Sequence, residues 1–322
     1  MSARRGVALL AALWLVVAIA AVALQFSLEA HERRQLGIDA SERGVQRGLA
    51  LGALAATQAR LEQALRAAPA GSNAIIAGLR ATDPWLDADS VYSGDVMVDS
   101  TPVSVVAADL GEKLNINNLN ENEIQTFFTF LLQDYTKSTQ LAQSIMDWRD
   151  PDSIPRPSGA ERDAYIRAGM LALPTNAPFR DIDELRNVMG MTPDIYAQAA
   201  PYLTTHGDAL INLNTAPVPV LRVLPGMTDA TINLILQMRS QGRRIQSVSQ
   251  VLPGATDRRR RVAGQLATPQ ALNALQARAT TQTTWIELTI LARVGPQAPP
   301  TKLVAVVRQN ADRTTYVDSM IW

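Results

Sequence analysis

Five carboxylate side chains lie within 17 positions, between residues 147 and 163. Three prolines, at 151, 155 and 157, and the glycine at 159 interrupt helix formation there, which predicts a tight loop. Calcium is a hard cation that takes about six to eight oxygen ligands, and a carboxylate-rich loop supplies such oxygens. The spacing is not that of an EF-hand. The candidate ligands are Asp147, Asp150, Asp152, Glu161 and Asp163.

The same residues allow a second interpretation, in which the loop is solvated and its aspartates cap helix starts. Paired carboxylates could also serve a hydrolase, but the loop suits a metal better. The sequence has no glycine-rich phosphate loop, no nucleophile-elbow serine and no cysteine. Its two histidines, His31 and His206, are too few for a histidine zinc site or a catalytic triad. We therefore predict that the chain is not an enzyme.

The charge balance is neutral, with 30 Lys and Arg against 30 Asp and Glu. General affinity for nucleic acid or anionic membrane requires a basic excess, so neither is expected. Because cysteine is absent, an exported form of this chain must be held by its core or by a bound metal.

The N-terminus contains the most specific single signal. Residues 7–26 are apolar apart from Gln25, and about 20 apolar residues span a bilayer as a helix. Arg4 and Arg5 precede this segment and should remain cytoplasmic. We predict a single-pass inner-membrane protein with its N-terminus in the cytoplasm and its body in the periplasm.

Two kinds of processing compete at this segment. The alanines at 18, 20, 21 and 23 could imitate the cleavage site of a secretory signal peptide. A short basic leader ending in glycine is instead typical of cleavage by prepilin peptidase, here between Gly6 and Val7 with the helix retained. An unprocessed membrane anchor would look much the same.

A long helix and two separated groups of strands define the predicted fold. The helix covers residues 7–66, which contain no proline and many good helix formers. We predict an α+β, pilin-like fold in which this N-terminal transmembrane/long helix packs on one antiparallel sheet. The predicted strands are 91–98 and 103–107 before a large insertion, and 285–294, 302–309 and 314–321 after it. The predicted domains are a leader (1–6), a transmembrane helix (7–26), the pilin-like helix and first strands (27–108), a mainly α-helical insertion (109–280) and C-terminal strands (281–322).

The insertion contains a weak internal repeat. Residues 113–119 (KLNINNL) resemble 210–216 (LINLNTA), and each is followed by a helical stretch and a third matching segment. The third segments begin at Phe179 and Ile245. We expect the asparagines of these motifs to cap helix starts.

The second copy resembles a helix-hairpin-helix, a unit that often binds DNA backbone at its glycine turn. This gives the alternative function, a membrane-anchored periplasmic DNA-binding protein of the competence type. The neutral charge favours a packing role for the repeats, and the arginine run at 258–261 is more typical of a solvated helix face.

Several motifs occur in series: Arg5-Gly6 before VALLAALW, KLNIN at 113–117, IMDWRDPD at 145–152, GAERDAY at 159–165, and Phe179 before Glu184. Together they resemble the general secretion pathway protein K family, the large minor pseudopilins of the type II secretion system. The resemblance implies a position at the pseudopilus tip and a role in assembly and in export of folded exoproteins. It also implies calcium in the insertion, cleavage by prepilin peptidase, minor pseudopilins I, J and H as partners, and an inner-membrane assembly platform.

One residue gives a physical reason for the tip position. Most pilin-like subunits carry glutamate at the fifth position after cleavage, and in this chain that position is Ala11. A lone charge at this depth costs several kcal/mol, so each N-terminal amine requires a neighbour's carboxylate. This chain offers an amine but no carboxylate, which predicts that it bonds on one side only and ends the filament.

Overall fold

The computed structural model describes residues 3–67, 85, 92–252, 269–295, 298–310 and 312–322. Helix α1 (Ala3–Ala67) has 65 residues, and the second half of the helix packs on a sheet. Its buried residues recur at helical spacing, which turns one face to the sheet. At Gly52 a side chain would collide with Val98, because a Cβ atom there would lie 2.7 Å from the valine Cγ1. The buried apolar residues are Leu49, Ala50, Ala53, Leu54, Leu61 and Leu65.

The sheet has five strands in the order β1-β2-β7-β8-β9, and all neighbours are antiparallel. In β7 every second side chain is buried against α1, as the alternating sequence requires. The predicted antiparallel sheet, with strands from both ends of the chain, is confirmed. Residue 91 lies outside the described residues. The strands are β1 (Gly94–Val98), β2 (Thr101–Asp109), β7 (Trp285–Ala292), β8 (Thr301–Gln309) and β9 (Thr315–Ile321).

The membrane segment is a different case. Among the helices that the structure describes, none is long and apolar enough to span a bilayer. The structure does not describe most side chains of the 7–26 segment, including those of Val7 and Ala11. The side chains of the predicted leader, residues 1–6, are not described either. The transmembrane helix, the cleavage site and the role of Ala11 therefore stay predictions.

The insertion between β2 and β7 is mainly helical, with two pairs of very short parallel strands. Asn120 begins α2 with a capping box, in which its side chain and that of Glu123 each accept from the other's backbone N–H. The short strands are β3 (Leu114–Asn115) with β4 (Leu203–Thr204), and β5 (Ile211–Asn212) with β6 (Ala279–Thr280). The helices are α2 (Glu121–Leu132), α3 (Tyr135–Arg149), α4 (Arg162–Arg167), α5 (Pro193–Ala199), α6 (Val218–Leu221), α7 (Asp229–Ser240) and α8 (Pro269–Gln276). Short 3₁₀ helices occur at Leu110–Glu112, Ile182–Asn187, Ala200–Tyr202 and Val248–Gln250.

The described buried side chains form two separate hydrophobic clusters. One lies between α1 and the sheet and includes Leu61, Trp85 and Leu288. The other fills the insertion and includes Phe127 and Trp148. The insertion therefore has a core of its own.

Candidate metal centre

The loop that follows α3 is shaped around Asp147. Asp147 lies one turn before the end of α3 and is wholly buried, and Asp150 and Pro151 terminate the helix. The chain returns over Asp147 at Gly159, where a Cβ atom would lie 2.0 Å from the aspartate Oδ2. Only glycine leaves room for the buried carboxylate at this crossing.

One arginine neutralises part of this loop. Arg156 Nη1 lies 2.5 Å from Asp147 Oδ1 and 2.5 Å from Asp150 Oδ2, and the Arg156 backbone N–H donates to Asp147 Oδ2 at 3.1 Å. Burial raises the pKa of Asp147, while the hydrogen bonds from Arg156 oppose that rise. Both oxygens of Asp147 are thus paired within the protein.

Three carboxylates, one of them that of Asp150, converge next to Asp147, and Arg156 pairs with only Asp150 Oδ2 among their oxygens. Oxygens of Asp150, Asp152 and Glu161 lie within 4.8 Å of one another. Glu161 is only 6 % exposed, and neither of its carboxylate oxygens has a hydrogen-bond partner among the described residues. Asp150 Oδ1 is buried and unpartnered in the same way. Burial raises the pKa of Glu161, and the negative charges of Asp147 and Asp150 raise it further.

This arrangement fits a divalent cation. Buried oxygens without partners cost free energy, and close carboxylates repel one another. A hard cation held by Asp150, Asp152 and Glu161 would relieve both, and backbone carbonyls of the loop would complete an oxygen shell. A cation bound there would cross-link the end of α3 to the start of α4 and so order the loop between them.

The five predicted ligands therefore separate in the structure. Asp150, Asp152 and Glu161 lie together, whereas both oxygens of Asp147 are paired with Arg156 and Asp163 is exposed on α4, outside the three-carboxylate group. Arg156 was not anticipated from the sequence. The sequence feature that could have indicated its role is a single arginine within a loop of carboxylates and prolines, where a positive charge is attracted to the excess negative charge.

The internal repeat is built by the same contacts in both copies. The Asn117 side chain exchanges hydrogen bonds of 2.9 and 2.9 Å with the Phe179 backbone, and the Asn214 side chain does so with Ile245 at 2.9 and 2.8 Å. These asparagines clamp two distant segments together. The prediction that the asparagines of these motifs cap helices is wrong for Asn117 and Asn214, because their amides pair with backbone groups of a distant segment instead. Asn115 and Asn212 accept from the backbone N–H two residues later.

An arginine near the end of a helix completes each copy. Arg149 of α3 donates to the carbonyls of Ile116 and Leu119. Arg239 of α7 donates to those of Leu213 at 2.6 Å and Ala216 at 2.7 Å. The two copies are residues 114–204 and 211–280. Each has a short pair of parallel strands, an asparagine that bonds to the backbone of a distant segment, and an arginine that donates to two carbonyls.

The acidic loop belongs to the first copy alone. When Arg149 is aligned with Arg239, three acidic positions of the first copy can be compared with the second. The first copy has Asp147, Asp150 and Asp152, and the equivalent positions hold Gln237, Ser240 and Gly242. Because the second copy folds with these neutral residues, the shared architecture does not require the carboxylates.

The turn between α6 and α7 is the place where the second copy would bind DNA. Gly226 has φ +74°, which favours glycine. Arg222 donates to Asp229 and lies 4.7 Å above the Phe130 ring, while Arg239 is turned into the interior. Neither arginine is free at the turn. The arginine run at 258–261 lies outside the described residues.

Comparison with known proteins bears on the part of the chain that holds the first copy. Residues 112–208 match the family model of type II secretion system (T2SS) protein K. The resemblance to protein K is confirmed. The matched residues 112–208, called the protein K domain below, contain the three converging carboxylates and Arg156.

Relatives named type II secretion system protein K come from several bacteria. That of Klebsiella pneumoniae is 30% identical over 114 residues, covering 34% of this chain and 35% of the relative. That of Pectobacterium carotovorum subsp. carotovorum is 30% identical over 164 residues, covering 44% and 50%. That of Dickeya chrysanthemi is 35% identical over 115 residues, covering 33% and 31%. The chain thus matches between 31% and 50% of the length of these protein K relatives.

The fold is also similar to a solved structure. A chain of the crystal structure of the GspK-GspI-GspJ complex, from the type 2 secretion system of enterotoxigenic Escherichia coli, superposes with a TM-score of 0.56. The superposition covers 91% of this chain and 98% of that chain at 15% sequence identity. The protein K domain therefore lies within a mixed fold of helix and antiparallel sheet. A chain of the GspK-GspI-GspJ complex has a similar fold.

Proposed function

We propose that this chain is a minor pseudopilin at the tip of the type II secretion pseudopilus. In this role it is required for pseudopilus assembly and for export of folded exoproteins from the periplasm. The observation that carries the proposal is the protein K domain at 112–208, inserted into a sheet that packs on a 65-residue helix. The protein acts as a structural component and not as an enzyme.

The proposed partners follow from the superposed structure, which contains GspK together with GspI and GspJ. We expect the minor pseudopilins I and J to bind this chain directly and H to join them. Prepilin peptidase and the inner-membrane assembly platform act on it earlier. Co-purification of the full chain with I and J tests the proposal.

The N-terminal segment serves as the anchor in the inner membrane. The described side chains of Trp14, Leu24 and Phe26 are 69, 63 and 69% exposed, and large apolar groups in that state favour lipid over water. Ala11 would leave the neighbouring amine without a carboxylate partner and so place the chain at the end of the filament.

Processing at this segment gives a direct prediction. Cleavage by prepilin peptidase removes the six-residue leader and leaves the apolar helix in place. N-terminal sequencing of the mature protein, purified from membranes, should therefore begin at Val7. A sequence that begins near residue 24 would show that a secretory signal peptide is removed. It would contradict the proposal that this helix anchors the protein in the membrane.

Calcium is the cation that we propose for the carboxylate cluster. Three converging carboxylates, two of which have unpartnered buried oxygens, suit a hard, oxygen-seeking ion, and calcium tolerates the irregular geometry of a loop. Asp150, Asp152 and Glu161 would hold it, and Arg156 would keep Asp147 outside the shell. Its role is structural, because it fixes the loop between α3 and α4 inside the protein K domain.

A further inference from the structure

The insertion and the sheet are joined by a polar junction. Each has its own hydrophobic cluster, and the buried side chains of Leu110 and Val306 belong to neither. The described chain passes between the two bodies twice, at the end of β2 and at the start of β7. Something other than a shared apolar core must therefore fix the insertion on the sheet.

Asp109, the last residue of β2, lies where these two passages meet. It is 3 % exposed, and its carboxylate accepts four hydrogen bonds. Oδ1 accepts from the Gly111 backbone at 2.8 Å. Oδ2 accepts from the Asn212 amide at 2.8 Å, from Thr215 at 2.7 Å and from Thr283 at 3.3 Å.

The donors come from three different parts of the chain. Gly111 follows β2, Thr283 precedes β7, and Asn212 with Thr215 belongs to the second copy of the repeat. One carboxylate thus ties both connections of the insertion to the second copy. Burial raises the pKa of Asp109, and the hydrogen bonds from Thr215 and Gly111 oppose that rise, so the buried group depends on these donors.

The backbone approaches closely at the same point. A Cβ atom at Gly111 would lie 2.9 Å from the Asn212 Cβ, so a side chain there would push the second copy away. Around the centre, Trp285 Nε1 donates to Asp208 at 3.2 Å and Lys113 pairs with Glu287 at 3.4 Å. These outer contacts are partly solvated and therefore weaker than the buried set.

We propose that Asp109 is a positioning residue that locks the orientation of the helical insertion on the sheet. Without it, the insertion keeps its own core but turns about its two connections. The lock rests on contacts within this chain, so it holds whichever subunits the chain meets. In an assembled tip it would present the protein K domain at a fixed angle.

The test is a distance measurement between two spin labels on the full chain in detergent. The sequence has no cysteine, so Gln198→Cys on the insertion and Lys302→Cys on the sheet give two unique labels at exposed positions. With Asp109 present the distance distribution should be narrow. In Asp109→Ala it should broaden by about twofold, as expected when two bodies reorient independently. Asp109→Asn retains one accepting oxygen and should fall between the two.

Two further variants separate the lock from general stability. Asn212→Asp places a second carboxylate against Asp109 and should broaden the distribution as Asp109→Ala does. Leu141→Ala opens a cavity in the insertion core away from the junction, and should lower Tm without broadening. If Asp109→Ala does not fold, Thr215→Val and Thr283→Val each remove one donor and should broaden the distribution in part. An unchanged width in the folded Asp109 variant, or in both threonine variants, would overturn the proposal.

Discussion

Replacing Glu161 with glutamine is expected to stabilise the protein in a chelator and to abolish its stabilisation by calcium. The Glu161 carboxylate is buried, has no hydrogen-bond partner among the described residues and faces two further carboxylates. An unsatisfied buried group costs about 1–3 kcal/mol, and glutamine removes its charge while keeping its shape. Without metal, Glu161→Gln should therefore melt a few degrees above the parent.

In calcium the parent should instead have a higher Tm than Glu161→Gln. A ligand specific for the folded state stabilises it by about 2.7 kcal/mol when its concentration is 100 times Kd. The parent should gain several degrees in Tm at millimolar calcium, whereas Glu161→Gln should gain almost none. The joint replacement of Asp150 and Asp152 by alanine should also abolish the gain, because it removes two of the three ligands.

Asp163→Asn provides the matched control. Asp163 lies two residues from Glu161 but is exposed and outside the three-carboxylate group. Its variant should respond to calcium as the parent does. A calcium-dependent rise in Tm that is equal in the parent and in Glu161→Gln would show that the cluster does not bind the ion.

Replacing Arg149 or Arg239 with methionine is expected to destabilise the fold by about 3 kcal/mol in each case. Each guanidinium group is largely buried and supplies hydrogen bonds to two backbone carbonyls. Burial lowers the pKa of both groups, that of Arg239 to about 10. Methionine fills much of the volume but leaves the carbonyls unsatisfied, so the loss measures these hydrogen bonds.

The pair of variants also tests the internal repeat. Because the two arginines make the same contacts in the two copies, their losses in denaturant unfolding should be similar. Arg243→Met, at an exposed position next to α7, should change the free energy of unfolding by less than about 0.5 kcal/mol. A loss below about 1 kcal/mol for either buried arginine would contradict its role as the element that completes a copy.

Local patterns carried most of the fold prediction. The alternating residues of β7 and the proline-free run of α1 identify their elements because each depends on neighbours in sequence. The repeat was also visible, since its motifs recur at the clamp positions. What the asparagines do was not visible, because Asn117 meets Phe179 across 62 residues and Asn214 meets Ile245 across 31. Helix capping is a local rule, and it failed where a long-range contact replaced it.

The candidate metal centre was also predicted only in part from the sequence. The density of carboxylates and prolines predicted the loop, but sequence spacing gave no means to rank five acids as ligands. The ranking depends on which acid has both oxygens paired with Arg156 and on which acids keep buried oxygens without partners. Asp109 is a further case, because it is the last residue of a strand while its donors lie as far along the chain as residue 283.

The most direct test of the proposed function is co-purification of the full chain with the minor pseudopilins I and J of the same host. The three proteins should be produced together, extracted in detergent and separated by size-exclusion chromatography with calcium present. We predict that the chain elutes with I and J in one stoichiometric complex, and that an affinity tag on this chain recovers both. Elution of the chain alone, while folded I and J bind one another in the same sample, would contradict its place as a minor pseudopilin at the tip.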